Sequence, residues 1–87
     1  VLHGLFGAGR NWITVARALG GRFRFHLVDL RNHGASPHTA TMDYTAMVAD
    51  VRRLVSTLGL ASFSLVGHSM GGKAAMTMAL TDPTGLE

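Results

Sequence analysis

The sequence contains no cysteine, which excludes disulfides and thiolate chemistry and fits a reducing compartment. No signal peptide is visible, so the cytoplasm is favoured, and no apolar run is long enough to span a bilayer, so no membrane partner is expected. Charge is sparse. The eight basic residues, Arg10, Arg17, Arg22, Arg24, Arg31, Arg52, Arg53 and Lys73, are scattered without a run or interleaved aromatics. They read as solvated surface, and nucleic-acid binding is not expected despite the net charge of +3. His, Asp and Glu do not gather at metal-ligand spacing, and the glycine-rich stretch His3 to Gly9 lacks both G-x-G-x-x-G and a G-K-[ST] ending. Neither a metal, a nucleotide nor another cofactor is therefore expected. Repeats, linkers and low-complexity segments are also missing. What remains is a chain that is 47% apolar over 87 residues, one globular domain at most and short for an α/β enzyme. It opens on Val1-Leu2-His3-Gly4 without an initiator methionine, so residues 1–87 are expected to be a partial domain truncated at both ends.

The stretch with the most chemistry is Gly67-His68-Ser69-Met70-Gly71-Gly72, preceded by the apolar run Phe63 to Val66 and followed by Lys73 to Leu80. It reads as strand, sharp turn and helix with a serine at the apex, the form G-x-S-x-G of a nucleophile elbow. Side chains two residues before or after such a serine would collide with the neighbouring strand and helix, which accounts for Gly67 and Gly71, and Gly72 adds clearance. The helix starting beside Ser69 turns its free amides and positive dipole end toward the place where an oxyanion would form. G-x-S-x-G is a short pattern, and glycine turns between strand and helix are ordinary in α/β proteins, so context has to carry the argument.

That context is an alternation of strands and helices. Val1-Leu2 ends a strand and leads into the loop His3 to Gly9. Trp12, Val15, Ala16 and Leu19 have helical spacing, with Asn11 as cap, Gly20-Gly21 as stop, and a face expected to cover a sheet. Phe23 to Leu30 reads as a strand and Arg31 to His38 as a loop. Tyr44, Met47, Val48, Val51, Leu54, Val55 and Leu58 predict a second helix, capped by Asp43 and ended by Gly59. The third helix follows the elbow, is apolar nearly all round and so is expected to be buried, and ends near Asp82-Pro83. This order predicts the α/β class: a parallel sheet with flanking helices, both glycine-rich loops lying at the carboxyl ends of strands and able to share one site.

Taken together, His3-Gly4-Leu5-Phe6-Gly7, Arg31-Asn32-His33-Gly34 and Gly67-His68-Ser69-Met70-Gly71-Gly72-Lys73 resemble the α/β-hydrolase superfamily, with particular likeness to YbfF-type esterases and abhydrolase domain-containing 11 proteins. The resemblance implies a partial α/β-hydrolase fold, strands three to five with their helices, ending before the sixth strand. It implies Ser69 as nucleophile and an oxyanion hole from the amides of Met70 and Leu5, with Phe6 as second candidate. His3, Gly4, Gly67, His68, Gly71 and Gly72 support the elbow and loop. The substrate expected is a small carboxylic ester or thioester, with acyltransferase, carbon-carbon hydrolase or cofactor-free haloperoxidase chemistry, or a non-catalytic remnant, as alternatives. In that family the acid and histidine follow the serine, yet after Ser69 this chain has only Asp82 and Glu87 and no histidine. Asp29 is expected to hold Arg31 or nearby amides, and His26, His33 and His38 to be structural or at the surface. The isolated chain is expected to be inactive.

Overall fold

Helix α2, Tyr44–Leu58, forms where the apolar period is strongest, and both ends are those expected. Asp43, in extended backbone, accepts the Ala46 amide at 2.7 Å, and Gly59 closes the helix in the left-handed conformation at φ 68°. Met47, Val48 and Val51 form its buried stripe. Helix α3, Met70–Thr81, crosses this stripe with Met70, Ala74 and Met78, and Leu2 and Leu30 complete the cluster. Each large apolar side chain buried here contributes about 1.5–3 kcal/mol. The computed structural model describes residues 1–87.

Three features differ from the sequence-based expectation. Helix α3 buries only one side: Met76 and Leu80 are exposed, because no element covers the face opposite α2. The first helix is two pieces, a 3-10 turn Gly9–Trp12 and helix α1, Ile13–Leu19. Asn11 does not cap α1. Its side-chain oxygen accepts the Ala8 amide at 2.7 Å, within the turn ahead of it. Helix α1 buries no residue, and Ile13, Val15 and Leu19 are exposed.

The third difference concerns the strands. The expected parallel strands meet only at isolated bridges, all of them parallel: Leu2 with Val28, Leu2 with Gly67, and Phe63 with Leu86. Leu2 bridges to one residue on each side, and no ladder propagates from these bridges. The bonds give the lateral order. The Leu2 amide donates to the Val66 carbonyl at 2.8 Å and the His68 amide to that of Leu2 at 3.0 Å, while the Val28 amide reaches the Val1 carbonyl at 3.3 Å. On the far side, the Phe63 amide donates to Gly85 and the Glu87 amide to Phe63, each at 2.9 Å. The segment at Val1–Leu2 is thus flanked by the two that follow it in sequence. A fourth segment, Gly85 to Glu87, lies beyond Phe63, so pairing continues past the point where the sequence reading ends it. No helix is long and apolar enough to cross a membrane.

Candidate active site

The elbow is built by close approach. Ser69 precedes α3 at φ 53° and ψ −112°, a left-handed conformation that L-residues adopt at a cost. A side chain on Gly67 would meet the Gly71 carbonyl, and one on Gly71 would meet the carbonyls of Leu2 and His3. A Cβ on Gly72 would stand 3.3 Å from the Gly67 carbonyl, a tight contact. Glycine therefore lets the start of α3 lie directly on the Val1–Leu2 segment, with Ser69 exposed above it. The Ser69 side chain makes no capping bond.

Beside Ser69 lies a cleft of about 330 Å³, lined by Leu5, Met42, Asp43, Tyr44, Met47, Ser69, Met70 and Lys73. It brings Ser69 together with two of the three expected oxyanion residues. The Met70 and Leu5 amides donate to no group of the chain, whereas the Phe6 amide is committed to His33 Nε2 at 3.1 Å. Of the two loop amides, only that of Leu5 is free. Gly4 leaves room for the His68 ring, whose Nδ1 would stand 2.9 Å from a Cβ there, and the ring lies 6.4 Å from that of Trp12. His68 is thus packed against the glycine-rich loop.

The loops beneath are tied by side chains. His3 is buried, takes the Leu30 amide on Nε2 at 3.0 Å and has Nδ1 2.7 Å from the Gly4 carbonyl. Asp29 holds amides and not Arg31: its oxygens accept from Gly9 at 2.8 Å and Ala35 at 3.0 Å. The Ala35 and Gly9 amides hold its carboxyl below the usual carboxylate range. Arg31 instead forks onto Asp50 of α2, Nε to Oδ2 at 2.6 Å and Nη2 to Oδ1 at 2.9 Å. This hydrogen bonding raises the Arg31 pKa and lowers that of Asp50. Asp50 and Met42 were not singled out from sequence and Tyr44 was read only as part of the α2 period, since nothing local marks these residues as partners of a loop or a cleft.

A family model described as alpha/beta hydrolase fold matches residues 1–86, and the chain belongs to this family. It is 51% identical over 86 residues to sn-1-specific diacylglycerol lipase ABHD11 of Xenopus laevis, covering 95% of this chain and 27% of that protein. It is 34% identical over 84 residues to ethanol acetyltransferase 1 of Cyberlindnera fabianii, covering 94% of this chain and 25% of that one. A solved marine microorganism esterase superposes with a TM-score of 0.96 at 43% identity, covering 99% of this chain and 33% of that structure. The chain therefore spans about a quarter to a third of the length of these relatives.

Proposed function

We propose that this chain is the nucleophile-bearing part of a serine hydrolase that cleaves small carboxylic esters or thioesters through an acyl-serine intermediate. One observation carries the reading: the uncapped hydroxyl of Ser69, at a strained helix start, shares a cleft with Met70 and Leu5, whose amides donate to no group of the chain. The Ser69 oxygen attacks the acyl carbon, and the carbonyl oxygen gains negative charge that these two amides and the amino end of α3 receive. Collapse expels the alcohol or thiol and leaves the acyl group on Ser69. Water attacks that ester in turn and releases the acid. A general base is needed for both steps. His3 and His33 have both ring nitrogens engaged, the exposed His68 ring lies over Gly4 beside Trp12, and no histidine follows Ser69. The base and the acid that orients it come from outside residues 1–87, so these residues alone are inactive.

The reading is tested with a fluorophosphonate probe and a short-chain p-nitrophenyl ester, applied to residues 1–87 and to the full-length gene product, each beside Ser69→Ala. The full-length protein is expected to be labelled and to turn over ester, with Ser69→Ala and the 87-residue chain silent. Labelling or turnover that survives Ser69→Ala sinks the nucleophile assignment.

Likeness to an ethanol acetyltransferase supports a second reading, in which the acyl-serine passes to an alcohol. Adding ethanol to the acetyl-ester assay separates the two. Ethyl acetate formed at the expense of acetate favours transfer.

A further inference from the structure

A second cleft, of about 420 Å³, adjoins the one that holds Ser69 and lies between residues 5–7 of the glycine-rich loop and residues 32–34 of the loop after Leu30. The Phe6 amide on His33 Nε2 at 3.1 Å ties its two sides together. Leu5 and Met42 line both clefts, and no other residue does. They form the wall between them. The second cleft has no Asp, Glu, Lys or Arg in its lining, and Phe6 stands in it 92% exposed, with Leu5 and Met42 exposed as well. Three uncovered apolar side chains beside a site fit an apolar ligand.

Met42 is the member of this wall that another side chain holds. The Thr39 amide donates to Asn32 Oδ1 at 2.6 Å, and because an amide can only donate, the carboxamide oxygen is fixed on that side and the NH2 group is turned to the Met42 sulfur, at 3.3 Å. The backbone of Asn32 is anchored too: its amide donates to the Pro37 carbonyl at 3.1 Å, and its φ of 64° is a left-handed value that asparagine tolerates. Methionine has three rotatable bonds and adapts readily to its surroundings. Here the sulfur has a donor whose other end is spent, and that holds the thioether in place.

We propose that Met42 is a specificity-determining residue: pinned by Asn32, its side chain closes the cleft beside Ser69 from the apolar cleft at Phe6 and so limits the length of acyl chain accepted. The proposal rests on the ester-hydrolase reading above. On that reading the Leu5 amide receives the oxyanion, so the acyl carbon lies next to the residue that forms the other half of the wall. Of the two arms on that carbon, the alcohol has to leave and water to enter, whereas the acyl chain stays on Ser69 between the two steps. A fixed wall suits the arm that stays. With Met42 cut back, the two clefts join and a longer chain runs on to Phe6.

The test measures kcat/KM of the full-length gene product for p-nitrophenyl octanoate and p-nitrophenyl acetate and takes the ratio of the first to the second. The unaltered protein is expected to favour acetate, and octanoate turned over as well as acetate overturns the proposal. Met42→Ala is expected to raise the ratio about tenfold, the low end of what one methylene decides in an apolar pocket. Asn32→Asp keeps an oxygen for Thr39 and removes only the donor to the sulfur, and should raise the ratio about threefold. Met42→Leu, of similar volume, should stay within about twofold of the unaltered protein. An unchanged or lowered ratio in Met42→Ala or in Asn32→Asp overturns the assignment, as does an equal rise in Met42→Leu and Met42→Ala. So does a shift that appears instead between ethyl and octyl acetate, where only the alcohol arm varies. Should one of the first two variants not fold, the other decides. Ester turnover surviving Ser69→Ala would instead sink the underlying reading, whereas Ser69-dependent turnover with a flat ratio sinks the Met42 role alone.

Discussion

Helices α2 and α3 begin in opposite ways. Helix α2 starts at an aspartate in extended backbone, φ −138°, whose carboxylate satisfies the Ala46 amide. Helix α3 starts at a serine held at φ 53°, whose hydroxyl caps nothing although serine is among the preferred capping residues. At α2 the cap, the apolar period and the stop all follow local preference. At α3 the preference is overridden by the approach of Gly71 to the Leu2 and His3 carbonyls, and the hydroxyl is left unspent. Both helices feed the same core, but only at α3 is a hydroxyl left free where a local rule is broken.

The comparison breaks most completely at Gly71. Gly71→Ala puts a methyl group against backbone carbonyls that cannot yield unless α3 lifts away, and is expected to cost more than about 4 kcal/mol or to abolish cooperative unfolding in a thermal scan. An unchanged midpoint would mean that the approach is looser than described. Next comes the shared interface. Met78→Ala, at a position 1% exposed, should cost about 2–5 kcal/mol in urea unfolding, and Met76→Ala, at one 60% exposed, less than about 0.5 kcal/mol. Similar losses at both sites would show that the outer face of α3 is covered as well.

The caps themselves provide a finer test. Asp43→Ala should cost about 1 kcal/mol, whereas Ser69→Ala removes no cap and should leave the unfolding midpoint nearly unchanged. Equal losses would show that the Ser69 hydroxyl does cap α3. The smallest effect expected is on acid stability. Asp29 and Asp50 have carboxyls lowered in the folded state, so the stability they add is present above the unfolded carboxylate value of about 3.9. It is lost as pH falls below that value and through the depressed folded values. Denaturant titrations across this range should show a shallower acid loss in Asp29→Asn than in the unaltered chain, and parallel curves would remove Asp29 from this role.

The comparison also shows why some elements were legible in the sequence. Helix α2 was read to the residue because its period, its cap and its stop lie within its own span. The elbow was legible as well, since the glycines around Ser69 record the clearance they provide. His3 was readable as a support of the glycine-rich loop, but its acceptor bond to Leu30 was not, and neither was the matching hold of His33 on Phe6. Asp29 was expected to hold Arg31 or nearby amides; the fold gives it the amides and brings Arg31 to Asp50 of α2. Burial of α1 was expected from its apolar spacing and that of the outer face of α3 from its apolar composition, and neither says which neighbour is present to cover a face.

By itself, then, the sequence determined the course of α2, the start of α3 and the glycine spacing around Ser69, because each is set by neighbours within a turn or two along the chain, and the likeness to α/β hydrolases, because its three motifs are each local and follow in order. Only the tertiary structure decided that Val1–Leu2 lies between its two partners, that Gly85–Glu87 adds a fourth, and that the Phe6 amide is spent while those of Leu5 and Met70 remain free. Those outcomes depend on which distant segment comes to lie opposite a given donor, and a hydrogen bond forms only where both partners arrive together.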